Sequence, residues 1–187
     1  MRIIGGKYRG KKLFSPITDK VRPTSDRARE ALFNILHSSL GNNWDSYKLL
    51  DVFSGTGAFA LEAISRGVAE ACLLDIDLQN LQKNVAMFSA EAHKIKVIRA
   101  DICHLFESES QYNLIFMDAP YNKGLSEIAL NQLHQKKWLT PGALCLVEVE
   151  KNEQLDIPAC YQIKNERIYG LAKIIFMEYS SDSVKDE

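Results

Sequence analysis

Long apolar runs are missing from this 187-residue chain, and no stretch approaches the ~18 residues that a membrane span requires. The opening MRIIGGKYRGKK places glycine and lysine where a signal peptide would carry its apolar core. A cytoplasmic protein without a membrane partner is therefore expected. Cysteine is scarce as well: Cys72, Cys103, Cys145 and Cys160 form no CxxC pair, and none of the four histidines stands at ligand spacing from them. No metal is expected, and Cys72 and Cys145, set in apolar runs, read as reduced core thiols. Internal repeats and low-complexity segments are absent too. What is present is 46% hydrophobic and 25% charged residues, enough to build a core and to exclude a disordered tail protein or a disulfide miniprotein. No hydrophobic surface stripe demands a dimer, so a monomer is expected.

Neither sign of charge dominates, the formal net charge being −1, yet the charges are unevenly placed. Residues 1–29 hold nine Lys/Arg against two Asp, a net of +7, which leaves −8 for residues 30–187. A basic arm on an acidic body is the pattern of a chain that meets phosphate, where Lys and Arg release condensed counterions.

Short β-prone pieces separated by Gly5-Gly6 and Gly10 predict a small, largely exposed N-terminal hairpin. Pro23 keeps Arg22 out of helical geometry, and Thr24 or Ser25 is placed to cap a helix over 25–39, with Arg27 and Arg29 on its polar side. From residue 48 the pattern becomes alternating strands (48–53, 71–75, 95–99, 112–117, 143–149) and helices (58–66, 78–90, 102–107, 125–137). The early strands are continuous apolar runs, as when helices cover both faces. Two last strands, 160–168 and 171–179, meet at Tyr169-Gly170 without a helix between them and form a hairpin. The fold class is a three-layer α/β sandwich with a mostly parallel sheet and a C-terminal antiparallel hairpin. The expected divisions are an extension at 1–45, a catalytic domain at 46–180 and a disordered tail at 181–187.

The first strand runs into Asp51-Val-Phe-Ser-Gly55-Thr-Gly57-Ala58 and then directly into a helix. Glycines there let backbone N–H groups approach a ligand. Asp75 ends the second strand twenty residues past Gly55, where a carboxylate binds ribose hydroxyls. Asp101 follows the third strand and Asp118-Ala119-Pro120-Tyr121 ends the fourth. Acidic residues at successive strand ends converge on the crevice where open α/β sheets bind ligands. Two phosphates would be repelled by Asp51, whereas an ammonium group would be drawn to it, which favours S-adenosylmethionine (AdoMet) over NAD. Pro120 fixes the direction of the Ala119 carbonyl, so Asp118 and that carbonyl are two acceptors suited to an exocyclic amine. Tyr121 offers a face on which an extruded base stacks.

These motifs, DVFSGTG and DAPY, resemble class I AdoMet-dependent amino-methyltransferases. Together with RIIGGKYRGKKL and RPTSDRAREALFNIL they resemble the RsmD family, bacterial methyltransferases of small-subunit ribosomal RNA, over about residues 1–179. The resemblance implies a Rossmann-like fold, AdoMet as cofactor, and methylation of a guanine N2 amine in 16S ribosomal RNA, naked or in the assembling small subunit. It implies that Asp51, Phe53, Gly55 and Gly57 surround the cofactor, that Asp75 takes the ribose, that Asp101 lies near the adenine, and that Asp118 holds the catalytic acidic position. The family usually has DPP before its aromatic; Ala119 replaces the first proline here and retains the carbonyl. Lys7, Arg9, Lys11, Lys12, Arg22, Arg27 and Arg29 would dock the RNA, with the RPT segment as a cofactor lid. The competing readings are a DNA amino-methyltransferase acting on adenine N6 or cytosine N4, a non-enzymatic RNA-binding assembly factor, and, more remotely, an NAD oxidoreductase. Only about 45 residues precede the core, too few for the substantial target-recognition domain that DNA enzymes often carry.

Overall fold

The computed structural model describes residues 1–15, 26–41 and 43–181, which fall into two compact units, Met1–Ile98 and Arg99–Glu187. The RPT segment, Arg22 and the caps expected at Thr24 and Ser25 lie outside the described residues, as does nearly all of the expected tail. The first unit contains α1 (Asp26–Leu40), β1 (Lys48–Val52), α2 (Ala58–Arg66), β2 (Glu70–Asp75), α3 (Gln79–Ala86) and β3 (Ile95–Arg99). Its strands are ordered β3-β2-β1, with β1 and β2 parallel from Lys48↔Glu70 to Val52↔Leu74. The second unit contains β4 (Tyr112–Asp118), α4 (Leu125–Gln135), β5 (Leu139–Glu150), β6 (Tyr161–Tyr169) and β7 (Ala172–Tyr179). Its order is β4-β5-β7-β6: β4 and β5 run parallel, and β7 is antiparallel to both β5 and β6.

Each strand occupies the place its residues dictate. Leu49, Leu50, Leu73 and Leu114 are fully buried, as apolar runs covered on two faces should be. The helix α1 buries Arg29, Leu32, Phe33 and Leu36, an i, i+3, i+4, i+7 stripe. Phe33 lies 4.7 Å from Phe59 and stacks on Trp44 at 5.9 Å.

Two expected helices are shorter than their patterns. The helix expected over 78–90 ends at Ala86, because Phe88 turns inward to join Ile3, Leu13 and Leu61, and the chain tightens into a 3-10 turn at Ser89–Lys94. The helix expected over 102–107 is only a 3-10 turn, Ile102–His104. Burial of Leu105 and a hydrogen bond from the Trp138 indole to the Phe106 carbonyl (2.9 Å) hold the following residues in other geometry.

The N-terminal hairpin is not largely exposed. Arg2 and Lys12 form its bridge, and Ile3 and Leu13 are buried in the Leu61–Phe88 cluster. Glu62, fully buried on α2, accepts the amides of Ile4 (2.6 Å) and Gly5 (2.8 Å) and the Arg66 Nε–H (2.7 Å). Ser65 receives the Tyr8 amide (2.9 Å) and donates to the Gly5 carbonyl (2.6 Å). Gly6 is obligatory: at φ +72 its missing Cβ would sit 1.9 Å from the Ser65 carbonyl oxygen.

Replacing Glu62 with Gln puts an amide NH2 against at least one of the three donors that the two carboxylate oxygens now share in a buried site. The substitution should cost about 2–4 kcal/mol. Urea denaturation measures the loss, and hydrogen exchange at Ile4 and Gly5 should accelerate beyond the global change. Unchanged exchange at those two amides would show that the hairpin does not depend on this carboxylate.

Candidate active site

The turn from β1 into α2 concentrates unusual backbone. Phe53 has φ +62, rare for a bulky side chain, and Gly55 and Gly57 follow at φ +56 and +75. Gly57 has a packing reason to be glycine, since a Cβ there would lie 2.6 Å from Leu81 and 3.1 Å from Leu73. Gly55 is exposed, and its N–H donates to Asp75 Oδ2 at 2.6 Å, while Asp75 Oδ1 accepts the Asp77 amide at 2.9 Å. The Ser54 amide and hydroxyl both donate to the Leu74 carbonyl, at 3.0 and 3.2 Å. The glycine turn is thereby stapled to the end of β2. The Asp75 carboxylate is oriented by backbone and, with up to four acceptor positions, still suits hydroxyl donors.

Asp51 is the odd member of this turn. It is 1% exposed, and its Oδ2 accepts the Ala60 amide at 3.2 Å, in the first turn of α2 where helical N–H groups want partners. Burial pushes its carboxyl up to about 8; the Ala60 hydrogen bond opposes the rise and the charge of Asp75 adds to it. A buried carboxyl in the field of a second acid is one whose ionised form a nearby cation would favour.

In the second unit, Asp101 is exposed where the chain leaves β3. It accepts the Cys103 amide (3.0 Å) and lies 3.0 Å from His104 Nδ1, contacts that hold it below the usual carboxylate range. His104, given no role from sequence, is thus the partner of a candidate cofactor residue. Asp118 ends β4, followed by buried Ala119 and then exposed Pro120 and Tyr121. Asn122 takes φ +56, which closes the turn, and Glu153 braces it by accepting the amides of Asn122 and Glu150, both at 3.2 Å. The Tyr121 hydroxyl donates to Glu148 Oε1 at 2.9 Å. Glu148 is 4% exposed and stands on β5 in register with Asp118.

Sequence reasoning missed Glu148, Glu153 and Glu62. Glu148 did leave a signal, a lone acid in the apolar run ALCLVEV. Also missed was Asn84, fully buried on α3, whose amide donates to the carbonyls of Thr56 (2.8 Å) and Phe14 (3.0 Å) while its oxygen accepts the Phe14 amide (2.7 Å). It ties the glycine turn to the end of the basic hairpin.

The basic residues divide by environment. Arg9, Lys12 and Arg27 are exposed. Lys7 is exposed but paired with Glu91 at 2.6 Å. Lys11 donates to the Met87 carbonyl and lies over the rings of Tyr8 and Phe88 at 4.9 and 4.8 Å. Arg29 is not on the polar side of α1. It is 2% exposed and donates to the Arg2 carbonyl at 2.5 Å and to Asp26 at 3.1 Å, so its guanidinium works inside the protein. Among the described residues no group of His, Cys, Asp and Glu is arranged to hold a metal ion, and no helix is long and apolar enough to cross a membrane.

A family model described as conserved hypothetical protein 95 matches residues 1–178. Ribosomal RNA small subunit methyltransferase D (RsmD) of Escherichia coli is 37% identical over 175 residues, covering 91% of this chain and 85% of that protein. The chain belongs to this family. A solved structure of an Escherichia coli protein, 33% identical, has a TM-score of 0.80 and covers 97% of this chain and 99% of that one. An RNA methyltransferase from Salinibacter ruber in complex with S-adenosyl-L-homocysteine, 15% identical, has a TM-score of 0.64, covers 88% of this chain and 98% of its own, and shares the fold. The expected α/β fold with an antiparallel closing hairpin is the one these relatives have.

In this RsmD-family chain the buried Asp51 makes a measurable demand on stability. Its carboxyl holds a proton in the folded state up to about pH 8, whereas in the unfolded chain it ionises near 3.8. Between those values the unfolded state binds fewer protons, so stability falls as pH rises. Asp51→Asn removes this dependence. Its stability relative to wild type should grow by up to about 1.4 kcal/mol per pH unit between pH 4 and 8. Urea titrations at pH 5, 6.5 and 8 test this; parallel curves for the two proteins would refute a neutral buried carboxyl.

Proposed function

We propose that the chain transfers a methyl group from AdoMet to the exocyclic N2 amine of a guanine in small-subunit ribosomal RNA. The observation that carries this reading is family membership over residues 1–178, with Asp118-Ala119-Pro120-Tyr121 standing at the close of β4. AdoMet supplies a sulfonium methyl that is already activated for in-line displacement, so the protein's task is to position the amine.

The donor set of the first unit fits that cofactor. Asp51 suits its ammonium, the oriented Asp75 its ribose hydroxyls, and the exposed Gly55 permits close approach of backbone. Phe53 and Gly57 shape the turn, and Asp101 is assigned to the adenine. At the end of β4, Asp118 and the Ala119 carbonyl accept the two amine hydrogens. An exocyclic amine is a weak nucleophile because its lone pair is delocalised into the ring. Two accepted hydrogen bonds orient it and favour the pyramidal form that attacks. Asp118 or a water then takes the released proton. Pro120 constrains Ala119, and the Tyr121 ring stacks on the extruded base, a contact worth ~1–3 kcal/mol. Arg9, Lys12 and Arg27, with Arg22, supply the phosphate contacts; Lys7 joins them only where its pairing with Glu91 leaves it free to do so. The protein is assigned to the bacterial cytoplasm, acting as a monomer.

Transfer from labelled AdoMet to small-subunit particles and naked RNA, both from cells lacking the enzyme, should yield N2-methylguanosine on digestion and mass spectrometry. Label in another nucleoside, or in DNA, would overturn the assignment. Asp118→Ala should lower transfer by at least about a hundredfold while AdoMet affinity stays within about twofold. Near-normal turnover of this variant would remove Asp118 from the chemistry. Because an ammonium pairs with ionised Asp51, AdoMet affinity should climb by up to about tenfold per pH unit from pH 6 to 8 and then level off. Calorimetry on wild type and Asp51→Asn reads this directly; an equal slope in the variant would assign the pH dependence to another group.

A further inference from the structure

We infer that Glu148 is a positioning residue: by accepting the Tyr121 hydroxyl it fixes the tyrosine ring as the platform for the target base. The inference rests on the guanine reading above and assigns the orientation of its base-stacking residue to a second strand.

Tyr121 sits on the exposed turn after β4, is 37% exposed itself, and is followed by exposed Asn122, Lys123 and Gly124. Stacking on a ring that still samples rotamers would have to order it first. The 2.9 Å bond to Glu148 holds the opposite end of the ring. The acceptor is itself well fixed, being 4% exposed on β5 within the run Cys145, Leu146, Val147 and Val149, each 1% exposed or less. Glu153 braces the same turn from the chain beyond β5, through the amides of Asn122 and Glu150.

Register gives the contact its meaning. Asp118 and Glu148 are opposite residues of the parallel β4–β5 pair, and successive side chains alternate faces, so both lie on the same side of the sheet. Four residues span the chain from Asp118, which holds the amine, to Tyr121, whose ring reaches across to Glu148. The acid that orients the amine and the ring that receives the base are thus referred to one rigid strand pair. A carboxylate placed in an apolar strand is costly unless it is bonded. A hydroxyl-to-carboxylate bond is among the stronger kinds and contributes to holding an acid in that position.

The test compares wild type, Tyr121→Phe, Glu148→Leu and the double variant in transfer to small-subunit particles; leucine removes the acceptor, which glutamine would keep. Each single change should lower kcat/KM for the particle about tenfold, the scale expected for a misplaced reacting group. The double variant should be no slower than the worse single one, and AdoMet affinity should stay within about twofold throughout. Relaxation of the 13C-labelled Tyr121 ring should show it ordered in wild type and mobile in Glu148→Leu. Losses that multiply, a Glu148→Leu protein as fast as wild type, or a ring that stays ordered would each overturn the inference. So would a loss of AdoMet affinity in step with the rate, since that marks a merely structural role. If Glu148→Leu fails to fold, Tyr121→Phe deletes the same bond from the exposed side, and an unchanged rate there overturns the inference as well. Wild-type protein that binds AdoMet and orders the ring but labels no RNA overturns the guanine reading itself, whereas RNA labelling that Glu148→Leu leaves untouched overturns this inference alone.

Discussion

The first unit depends on how the chain leaves β1 with a carboxyl group it cannot hydrate. Asp51 is enclosed because β1 is covered on both faces, and its partner is an amide of the helix that the turn itself introduces. Strand end, turn and helix start are therefore mutually constrained. Phe53 and Gly57 accept left-handed geometry to make the turn, and Gly57 has no room for a side chain beside Leu81. Gly55 then reaches Asp75 and ties the turn to the second strand. A group whose burial disfavours its charge is stabilised poorly by the fold and well by a bound cation.

Much of this was legible. Continuous apolar runs marked β1, β2 and β4, the stripe of Leu32, Phe33 and Leu36 marked α1, and Tyr169-Gly170 marked the closing hairpin. The acids at strand ends were found because glycine turns and strand ends are local patterns. Local patterns failed where a distant partner decided the outcome. The helix expected over 78–90 carried a suitable periodicity, yet Phe88 is claimed by Ile3 and Leu13 from the far end of the unit. The N-terminal hairpin looked exposed because nothing in its own residues announces Glu62 and Ser65 on α2.

The residues that escaped notice share one property: they are polar side chains bonded to atoms remote in sequence. Glu62 stands 58 residues from Ile4, Asn84 70 residues from Phe14, and Glu148 27 residues from Tyr121. Sequence spacing carries no record of such pairs, because their geometry exists only after folding. A lone acid in an apolar strand is still a usable sign, since burial without a partner would be unfavourable. Glu148 carries that sign openly; Glu62, amid FALEAISR, reads equally well as the polar face of an amphipathic helix and gives no warning.

Charge at the N-terminus shows how far composition misleads about surface. Nine basic residues among the first 29 suggest a uniformly cationic arm. In the folded chain Arg29 supports the Arg2 carbonyl from the interior, Lys11 closes over two aromatic rings, and Lys7 is bound to Glu91. These contacts dock the hairpin on its own unit. They leave Arg9, Lys12 and Arg27 exposed. Phosphate contacts set register on RNA rather than read sequence, and register transmits only through a rigid support. Asn84 supplies part of that support, because its three hydrogen bonds join the end of the hairpin to the very turn that Asp51 and Asp75 organise. Basic residues buried or paired in the arm thus hold the hairpin on the unit that also carries the turn between β1 and α2.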